Sequence, residues 1–284
     1  MQIIDNQKDF DEICKKLQSQ QVLFMDTEFH RRRTYYARLS IVQIACMEDK
    51  IIIDALSGIN IMGLKNILAN ENIVKVFHAP DQDFDIFFHL FGELPKNIFD
   101  TQIAAGVIGL DDVMGYGRLC KALLHINLDK TMQKANWLLR PLAKELLDYA
   151  IKDVEYLIPL HRELSKTMTD RNLWDTYKTR SQKLLDINNY KPRPERIMKK
   201  MNLQGRSDQF CKNLLHFIQL REECAQELDI PRNFCASDRE LIQVCESLPM
   251  TEQALFKLQI QGQPIAKKKF KNRLLDLCAA LREF

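Results

Sequence analysis

A short apolar run, Val22–Met25, leads directly into the acidic tripeptide Asp26-Thr27-Glu28. Four consecutive apolar residues followed by polar ones are typical of a strand that is buried on both faces. Such a strand needs neighbouring strands at its edges and a layer of helices on each face, which an α/β sheet provides. This run therefore constrains the fold of the first half of the chain more than any other feature does.

The segments that follow supply the other strands and helices of such a sheet. The strand patterns are Leu39–Cys46, Lys50–Ala55 and Ile73–Phe77, and the helical patterns are Ile61–Asn70 and a segment from Pro80 to about Phe91. Short links between the first three strands predict a meander. Because helices and strands then alternate, we expect an α/β domain with a mixed sheet covered by helices.

The second half of the chain has a helical pattern almost throughout, from Leu142 onward. Two prolines interrupt this pattern in Asn188–Pro194, which indicates a domain boundary. After it, apolar residues recur at helical spacing, and Ser237 with Glu240 has the pattern of a capping box. The C-terminal part is therefore predicted to be a small all-α helical bundle.

Composition narrows the classes of protein that fit. The 284 residues are 46% hydrophobic and 28% charged, which is ordinary for a globular protein. No secretory signal, apolar run of membrane-spanning length, P-loop or dinucleotide fingerprint is recognisable, so we expect no membrane association and no organic cofactor. The eight cysteines stand singly within apolar stretches, which predicts buried free thiols and a cytoplasmic location.

The net charge is only +3, but its distribution is uneven. Between Arg162 and Arg206, twelve Lys and Arg residues face five Asp and Glu residues, an excess of +7. Two interpretations stay open for this segment. It is either a solvated helical face and linker, or a strip that neutralises phosphates.

The strongest chemical signal is the pair Asp26 and Glu28 at the end of the buried strand. Side chains two residues apart project from the same face of a strand, so the two carboxylates meet. Burying two like charges costs several kcal/mol unless a positive charge compensates, and a divalent cation takes oxygen ligands. The alternative is that Glu28 lies past the strand and is simply solvated.

Two further acidic patterns occur on predicted helices. Tyr149 and Asp153 are four residues apart and so share one helical face, although such a spacing also fits a packed phenol and an exposed carboxylate. Asp81, Asp83 and Asp85 lie within the start of the helix that follows the fourth strand. Helical geometry lets at most one or two of these three face one pocket.

This ordered set of residues resembles the DEDD superfamily of exonucleases, tyrosine branch, and most closely the ribonuclease D family. The set consists of Asp26, Glu28, Asp83, Tyr149 and Asp153. Supporting stretches are Arg31-Arg32-Arg33-Thr34-Tyr35-Tyr36, Phe91-Gly92-Glu93-Leu94-Pro95, Asp100-Thr101-Gln102 and Trp137-Leu138-Leu139-Arg140-Pro141-Leu142. The tail from about Gln204 is similar to the helicase-and-RNase-D C-terminal (HRDC) domain.

The resemblance implies a ribonuclease H-like mixed sheet flanked by helices, followed by the small helical bundle. It implies an exonuclease domain at residues 1–165, a basic helical linker at 166–205 and an HRDC-like domain at 206–284. The family pattern of a histidine followed five positions on by an acid maps to His78 and Asp83. Tyr149, four residues before Asp153, fits the tyrosine branch.

The resemblance also implies the activity, which is 3′–5′ exoribonuclease hydrolysis that releases 5′-mononucleotides. The metal ligands would be Asp26, Glu28, Asp83 and Asp153, which hold two Mg²⁺ or Mn²⁺ ions. Tyr149 would position the attacking water. The expected substrate contacts are Phe29, His78, Arg31, Arg33 and Arg140, and the expected substrate is a tRNA precursor or another structured RNA with a single-stranded 3′ end.

Two alternatives stay open at this stage. The same chemistry could act on DNA, because carboxylates recognise the phosphodiester and not the sugar, and contacts to the 2′-hydroxyl would discriminate. The chain could instead be a catalytically silent scaffold that binds nucleic acid. The presence of all four carboxylates and of Tyr149 argues against the scaffold.

Overall fold

The computed structural model describes residues 1–47, 49–129, 132, 135–258 and 264–282. Two compact units divide the chain. The first consists of Met1–His30 and Arg38–Tyr190, and the second of Arg31–Ala37 and Lys191–Phe284. The short segment between two neighbouring strands of the first unit thus groups with the C-terminal helices.

The first unit is built on a six-stranded mixed sheet. The strands in chain order are β1 (Gln2–Ile4), β2 (Val22–His30), β3 (Arg38–Ala45), β4 (Lys50–Asp54), β5 (Val74–Phe77) and β6 (Ile98–Asp100). Their order across the sheet is β1-β4-β3-β2-β5-β6. β2, β3 and β4 form an antiparallel meander, whereas β1, β5 and β6 each pair in parallel with a neighbour. The predicted meander and mixed sheet are confirmed.

Eight helices accompany this sheet in the described part of the first unit. They are α1 (Gln7–Gln18), α2 (Gly63–Ala69), α3 (Asp81–Phe91), α4 (Thr101–Val107), α5 (Tyr116–Leu124), α6 (Lys144–Glu155), α7 (Leu157–Asp170) and α8 (Trp174–Ser181). α3 ends where Gly92 adopts φ +77°, a left-handed conformation that glycine tolerates without strain. Asp100 caps α4 by accepting from the Gln102 N–H at 2.7 Å.

The core that supports the site lies on one face of the sheet. Phe24 and Ile41 pack there with Ala150 and Val154 of α6, and all four are buried. Ile41, Gln43 and Ala45 of β3 belong to this face, since successive side chains of a strand alternate between its two sides. α6 therefore covers the centre of the sheet at β2 and β3.

The second unit is helical. Its helices are α9 (Pro194–Met198), α10 (Asp208–Glu227), α11 (Asp238–Ser247), α12 (Glu252–Lys257) and α13 (Pro264–Arg282). The capping box of Ser237 and Glu240 is present at the start of α11, with both reciprocal hydrogen bonds formed. Buried apolar side chains of α10, α11 and α13 form one core, as expected for a small helical bundle.

Hydrogen bonds to the buried Glu222 and the exposed Asp229 hold the segment 31–37 within this second unit. The Tyr35 hydroxyl donates to Glu222 Oε2 at 2.9 Å, and Asp229 Oδ1 accepts from the Tyr35 and Tyr36 N–H groups at 3.0 and 3.1 Å. Arg221 beside Glu222 is buried and donates to Asp238 at 2.7 Å. The segment is thus fixed by both side-chain and backbone hydrogen bonds.

All eight cysteines are free thiols. Seven are buried, but Cys211 is half-buried, so the prediction that all are buried is wrong at this position. Cys211 lies in the first turn of α10, before that helix enters the core at Leu214. Among the described residues, no helix combines the length and apolarity needed to cross a bilayer.

Candidate active site

Strand β2 delivers two carboxylates to one face of the sheet. Asp26 lies opposite Gln43 of β3, and Glu28 lies opposite Ile41. Both acids are half-buried, whereas Thr27 between them is buried and projects to the other face. This register places the side chains of Asp26 and Glu28 on the same face of the sheet.

Asp83 lies beside Thr27 at the end of β2. β5 runs parallel to β2, so the turn after β5 brings the start of α3 to the end of β2. The Thr27 hydroxyl donates a short hydrogen bond to Asp83 Oδ1, and Asp83 is only 6% exposed. Asp81 is exposed and Asp85 is half-buried, so Asp83 is the most buried of the three aspartates.

Helix α6 adds the fourth carboxylate and a phenol. Tyr149 and Asp153 lie on this helix, which packs on β2 and β3, and the Tyr149 hydroxyl interacts with the Asp153 carboxyl. The Tyr149 ring also packs near Trp137, with ring centroids 6.3 Å apart, and Trp137 is only 2% exposed. Trp137 is thus a core aromatic.

Burial and mutual repulsion raise the pKa values of the two acids on β2. Burial raises the pKa of Asp26 well above its usual range, and the charges of Asp83, Asp153 and Glu28 raise it further. Burial, followed by the charges of Asp153 and Asp83, raises the pKa of Glu28 to about 9. Each acid therefore responds electrostatically to the other members of the cluster.

The other two acids are shifted less. Burial raises the pKa of Asp83 to about 6, and the hydrogen bond from Thr27 opposes that shift. Burial raises the pKa of Asp153 to about 7, and the hydrogen bond from Tyr149 opposes it. Protein donors thus partly stabilise the charged forms of these two carboxylates.

The chemistry of this cluster fits divalent cations. Hard cations take carboxylate oxygens, and their charge would offset the repulsion that raises these pKa values. Within the described part of the chain, however, no three acidic, histidine or cysteine side chains converge into a preformed metal cage. The four carboxylates nevertheless interact electrostatically with one another.

Comparison with known proteins agrees with this geometry. Residues 1–169 match the family model described as 3′–5′ exonuclease, and residues 215–278 match the HRDC domain. The ribonuclease D of Gluconacetobacter diazotrophicus is 31% identical over 281 residues, which are 99% of this chain and 72% of that protein. The chain belongs to the ribonuclease D family.

Two other matches extend this result. The ribonuclease D of Jannaschia sp. is 36% identical over 245 residues, which are 84% of this chain and 63% of that protein. The crystal structure of Escherichia coli RNase D matches with a TM-score of 0.89 and 26% identity, over 100% of this chain and 75% of that one. The chain is therefore a 3′–5′ exoribonuclease, and the exonuclease family to which it belongs is generally dependent on divalent metals.

The five residues predicted to carry the chemistry of this ribonuclease D family member lie together in the first unit. The residues predicted to contact substrate are more dispersed. Phe29 is half-buried just past a register shift in β2, while Arg31 and Arg33 are exposed and belong to the second unit. His78 Nδ1 lies 2.9 Å from the Thr101 hydroxyl, and burial lowers the pKa of His78 to about 4, so its ring is neutral near pH 7.

Hydrogen bonds to other residues of the chain fix the Arg140 guanidinium. Its Nε and Nη2 donate to the two carboxylate oxygens of Asp54 at 2.6 and 2.7 Å, and its Nη1 donates to the Trp137 carbonyl at 2.8 Å. Nη2 also donates to the Ser40 carbonyl at 3.2 Å. This bidentate arrangement favours a structural role for Arg140 in joining its loop to β3 and β4.

Three residues near the carboxylates were not identified from the sequence. Thr27 bonds to Asp83, Gln43 lies opposite Asp26, and the pKa of Tyr116 is raised by burial and also by the charges of Cys120, Asp153 and Asp26. A signal existed for Gln43, because it is the only amide in the apolar strand β3. For Tyr116 the signal is absent, since its helix approaches the site only through the tertiary fold.

Proposed function

We propose that this chain removes nucleotides from RNA 3′ ends by hydrolysis, with Asp26, Glu28, Asp83 and Asp153 as ligands of two divalent cations. The observation that carries this proposal is the electrostatic coupling of four carboxylates around the end of β2. Such a group is costly to ionise within a protein unless cations neutralise it. The products would be 5′-mononucleotides.

Two Mg²⁺ or Mn²⁺ ions bound there would supply the positive charge that activates the attacking water and stabilises the leaving 3′ oxygen. The chain itself would fix the ligands. The Thr27 hydroxyl orients Asp83, and the Tyr149 hydroxyl, which interacts with Asp153, is proposed to orient that carboxylate when the cations are bound. Hydrogen bonds of this kind set the direction in which a carboxylate presents its oxygens to a metal.

Tyr149 is proposed to position the attacking water as well. Burial, followed by the charges of Asp153, Glu28 and Asp26, raises the pKa of Tyr149, so its hydroxyl stays protonated. A protonated phenol can donate one hydrogen bond while its oxygen accepts another. That combination suits a group that holds a water beside a carboxylate.

The remaining contacts to RNA are assigned on the family pattern. Phe29 is proposed to pack against the terminal base or sugar, and His78 to border the substrate as a neutral ring. Arg31 and Arg33 are proposed to contact phosphates, which suits their exposure. Arg140 is the weakest of the expected substrate contacts, because its nitrogens already donate to Asp54, Ser40 and Trp137.

The substrate class is proposed to be structured RNA with a single-stranded 3′ end, such as a tRNA precursor. The E. coli RNase D is described as an exoribonuclease involved in structured RNA processing, which supports this class. The eight free thiols suit a reducing compartment, and we propose that the activity is cytoplasmic.

The direct test uses 5′-labelled RNA and DNA of matched sequence with single-stranded 3′ ends. Wild type and Asp26→Asn are incubated with Mg²⁺, with Mn²⁺ and with EDTA. We expect a ladder that shortens from the 3′ end on RNA, and no shortening with EDTA or with Asp26→Asn. Release of 5′-mononucleotides is checked by chromatography.

The alternative outcomes separate the rival functions. Equal shortening of DNA would keep the chemistry and remove the RNA preference. Binding of labelled RNA without shortening under either cation would contradict the proposed hydrolysis and support a silent scaffold. Undiminished activity of Asp26→Asn would contradict the assignment of the site.

A further inference from the structure

Gln43 is a buried amide that the fold leaves without hydrogen bonds. It lies at the middle of β3, is 0% exposed, and neither its Nε2 nor its Oε1 has a hydrogen-bond partner among the described residues. A glutamine amide can donate two hydrogen bonds and accept two more. Burying such a group unpaired lowers stability, so its presence calls for a function.

The neighbours of Gln43 on β3 and β4 are apolar. Ile41 and Ala45 flank it along β3 on the same face, and Ile52 lies opposite it on β4. All three are buried in the core that α6 covers. A methionine would fill this space without an unpaired polar group, so packing does not require an amide here.

On its other side, Gln43 faces a catalytic carboxylate. It is the register partner of Asp26 on β2, and directly opposed residues of an antiparallel pair project their side chains to the same face. Their Cβ atoms are about 4.5–5.5 Å apart in such pairs, which brings the glutamine amide within reach of the aspartate. Asp26 is thus the acidic side chain that the pairing sets beside Gln43.

We propose that Gln43 is a positioning residue whose Nε2 donates a hydrogen bond to the Asp26 carboxylate when Asp26 binds a divalent cation. One carboxylate oxygen then faces the cation and the other is held by the amide. This inference rests on the proposed function, because it requires Asp26 to be a metal ligand. Donors behind a ligating carboxylate fix its orientation, and their loss typically weakens metal binding about 10- to 100-fold.

The role explains why the apolar part of β3 contains a buried amide. In the metal-free protein the amide is unpaired and costs stability, and in the metal-bound protein it gains a charged acceptor. Removing the amide should therefore have opposite effects on the two states. The metal-free protein should become equally or more stable, and its affinity for the cation should fall.

The test is a Mn²⁺ titration of the full, metal-free chain, followed by electron paramagnetic resonance of the free ion. Wild type is compared with Gln43→Met, and Ile44→Met serves as the matched control. Ile44 is the next residue on β3, is equally buried and projects to the opposite face. Thermal unfolding of each metal-free protein is measured in parallel.

We expect Gln43→Met to raise the Mn²⁺ Kd about 10- to 100-fold while its metal-free Tm stays unchanged or rises. Ile44→Met should leave the Kd unchanged within about twofold, whatever it does to the Tm. An unchanged Kd for Gln43→Met would overturn the inference. A wild-type protein that binds no Mn²⁺ would instead contradict the proposed metal site itself, which is a separate failure.

A second variant guards against loss of folding. Gln43→Leu is run alongside, with circular dichroism of both variants. If either variant folds, its Kd decides the question. If neither folds, the amide is required by the fold itself, which would contradict the argument that packing does not need it.

Discussion

The charge state of Glu28 couples metal binding to stability. Burial and the nearby acids raise its pKa from 4.5 to about 9, so the folded, metal-free protein favours the protonated carboxyl. The protonated Glu28 carboxyl therefore contributes to the stability of the folded state. That contribution is fully present below about pH 4.5 and is lost as the pH rises through about 9. Asp153, with a pKa raised to about 7, acts in the same direction.

The first prediction concerns how the Tm of the metal-free protein depends on pH. Between about pH 5 and about pH 9, the Glu28 and Asp153 carboxyls bind more protons in the folded metal-free chain than in the unfolded chain, so they should lower the Tm as the pH rises. The lowered pKa of His78 acts in the opposite direction below about pH 6.5. Added Mn²⁺ should raise the Tm more at the upper end of this range, because the carboxylates there need no deprotonation. Thermal unfolding with EDTA and with Mn²⁺ measures both effects.

Glu28→Gln is the control for this pH dependence. An amide cannot ionise, so the variant should show a shallower fall in metal-free Tm over the same pH range. Equal slopes of Tm against pH in EDTA for wild type and Glu28→Gln would contradict the raised pKa of Glu28.

Thr27 gives the second prediction. Thr27→Val keeps the shape of the side chain but removes the hydroxyl that donates to Asp83. Because Asp83 would lose its orienting donor, kcat should fall about 10- to 100-fold with a small change in KM. Steady-state kinetics on a labelled RNA measure this.

Thr27→Ser retains the hydroxyl and should recover most of the activity. If Thr27→Val and Thr27→Ser are equally active, the hydrogen bond to Asp83 has no role in the reaction.

Tyr149 gives the third prediction. Tyr149→Phe removes only the hydroxyl, and we expect kcat to fall roughly 10²-fold because the attacking water loses its positioning group. Tyr156→Phe is a matched control, since Tyr156 lies at the end of the same helix and packs on the same core. Equal kinetics for Tyr149→Phe and wild type would remove the phenol from the mechanism.

At the scale of elements, one loop and two strands are joined through Arg140. Its bidentate contact with Asp54 is largely buried, since the two side chains are only 26% and 11% exposed. The fourth prediction is that a double-mutant cycle of Arg140→Ala and Asp54→Ala gives a coupling energy of about 1–3 kcal/mol in the free energy of unfolding. Chemical denaturation measures it.

The KM of the same variants for RNA tests whether Arg140 contacts the substrate instead. If Arg140 contacts substrate, Arg140→Ala should raise the KM for RNA much more than Asp54→Ala does. Similar effects of both variants on stability, with little effect on KM, would support the structural role.

The elements that the sequence predicted are those with strong local signals. β2 and α3 were found because an apolar run and a Pro-to-Gly helical segment mark them within a few residues. β1 and β6 were missed because each has only three residues, too few for an alternating pattern to show. Their places at the two edges of the sheet depend on pairing between distant segments.

At the scale of the whole molecule, the sequence could indicate the acids but not everything around them. Two acids were found from strand geometry, and the family pattern selected Asp83 from its neighbours. The contact of Thr27 with Asp83 and the pairing of Gln43 with Asp26 arise from register and long-range packing. The grouping of residues 31–37 with the C-terminal unit is equally non-local, because its contacts join Tyr35 to Glu222 and Asp229.

One cluster of four carboxylates is proposed to hold the cations that the hydrolysis requires. The most direct test of this proposal compares Asp83→Asn with Asp81→Asn, two identical chemical changes two residues apart on α3. Asp83 is buried and coupled to Asp26, whereas Asp81 is exposed. Because the loss of a metal ligand removes several kcal/mol of transition-state stabilisation, the rate should fall at least about 10³-fold.

The measurement is the rate of 3′ shortening of a 5′-labelled RNA by each full-length variant, with folding checked by circular dichroism. We expect Asp83→Asn to be nearly inactive and Asp81→Asn to shorten the RNA at close to the wild-type rate. Equal activity of the two variants, whether both retained or both lost, would contradict the proposal.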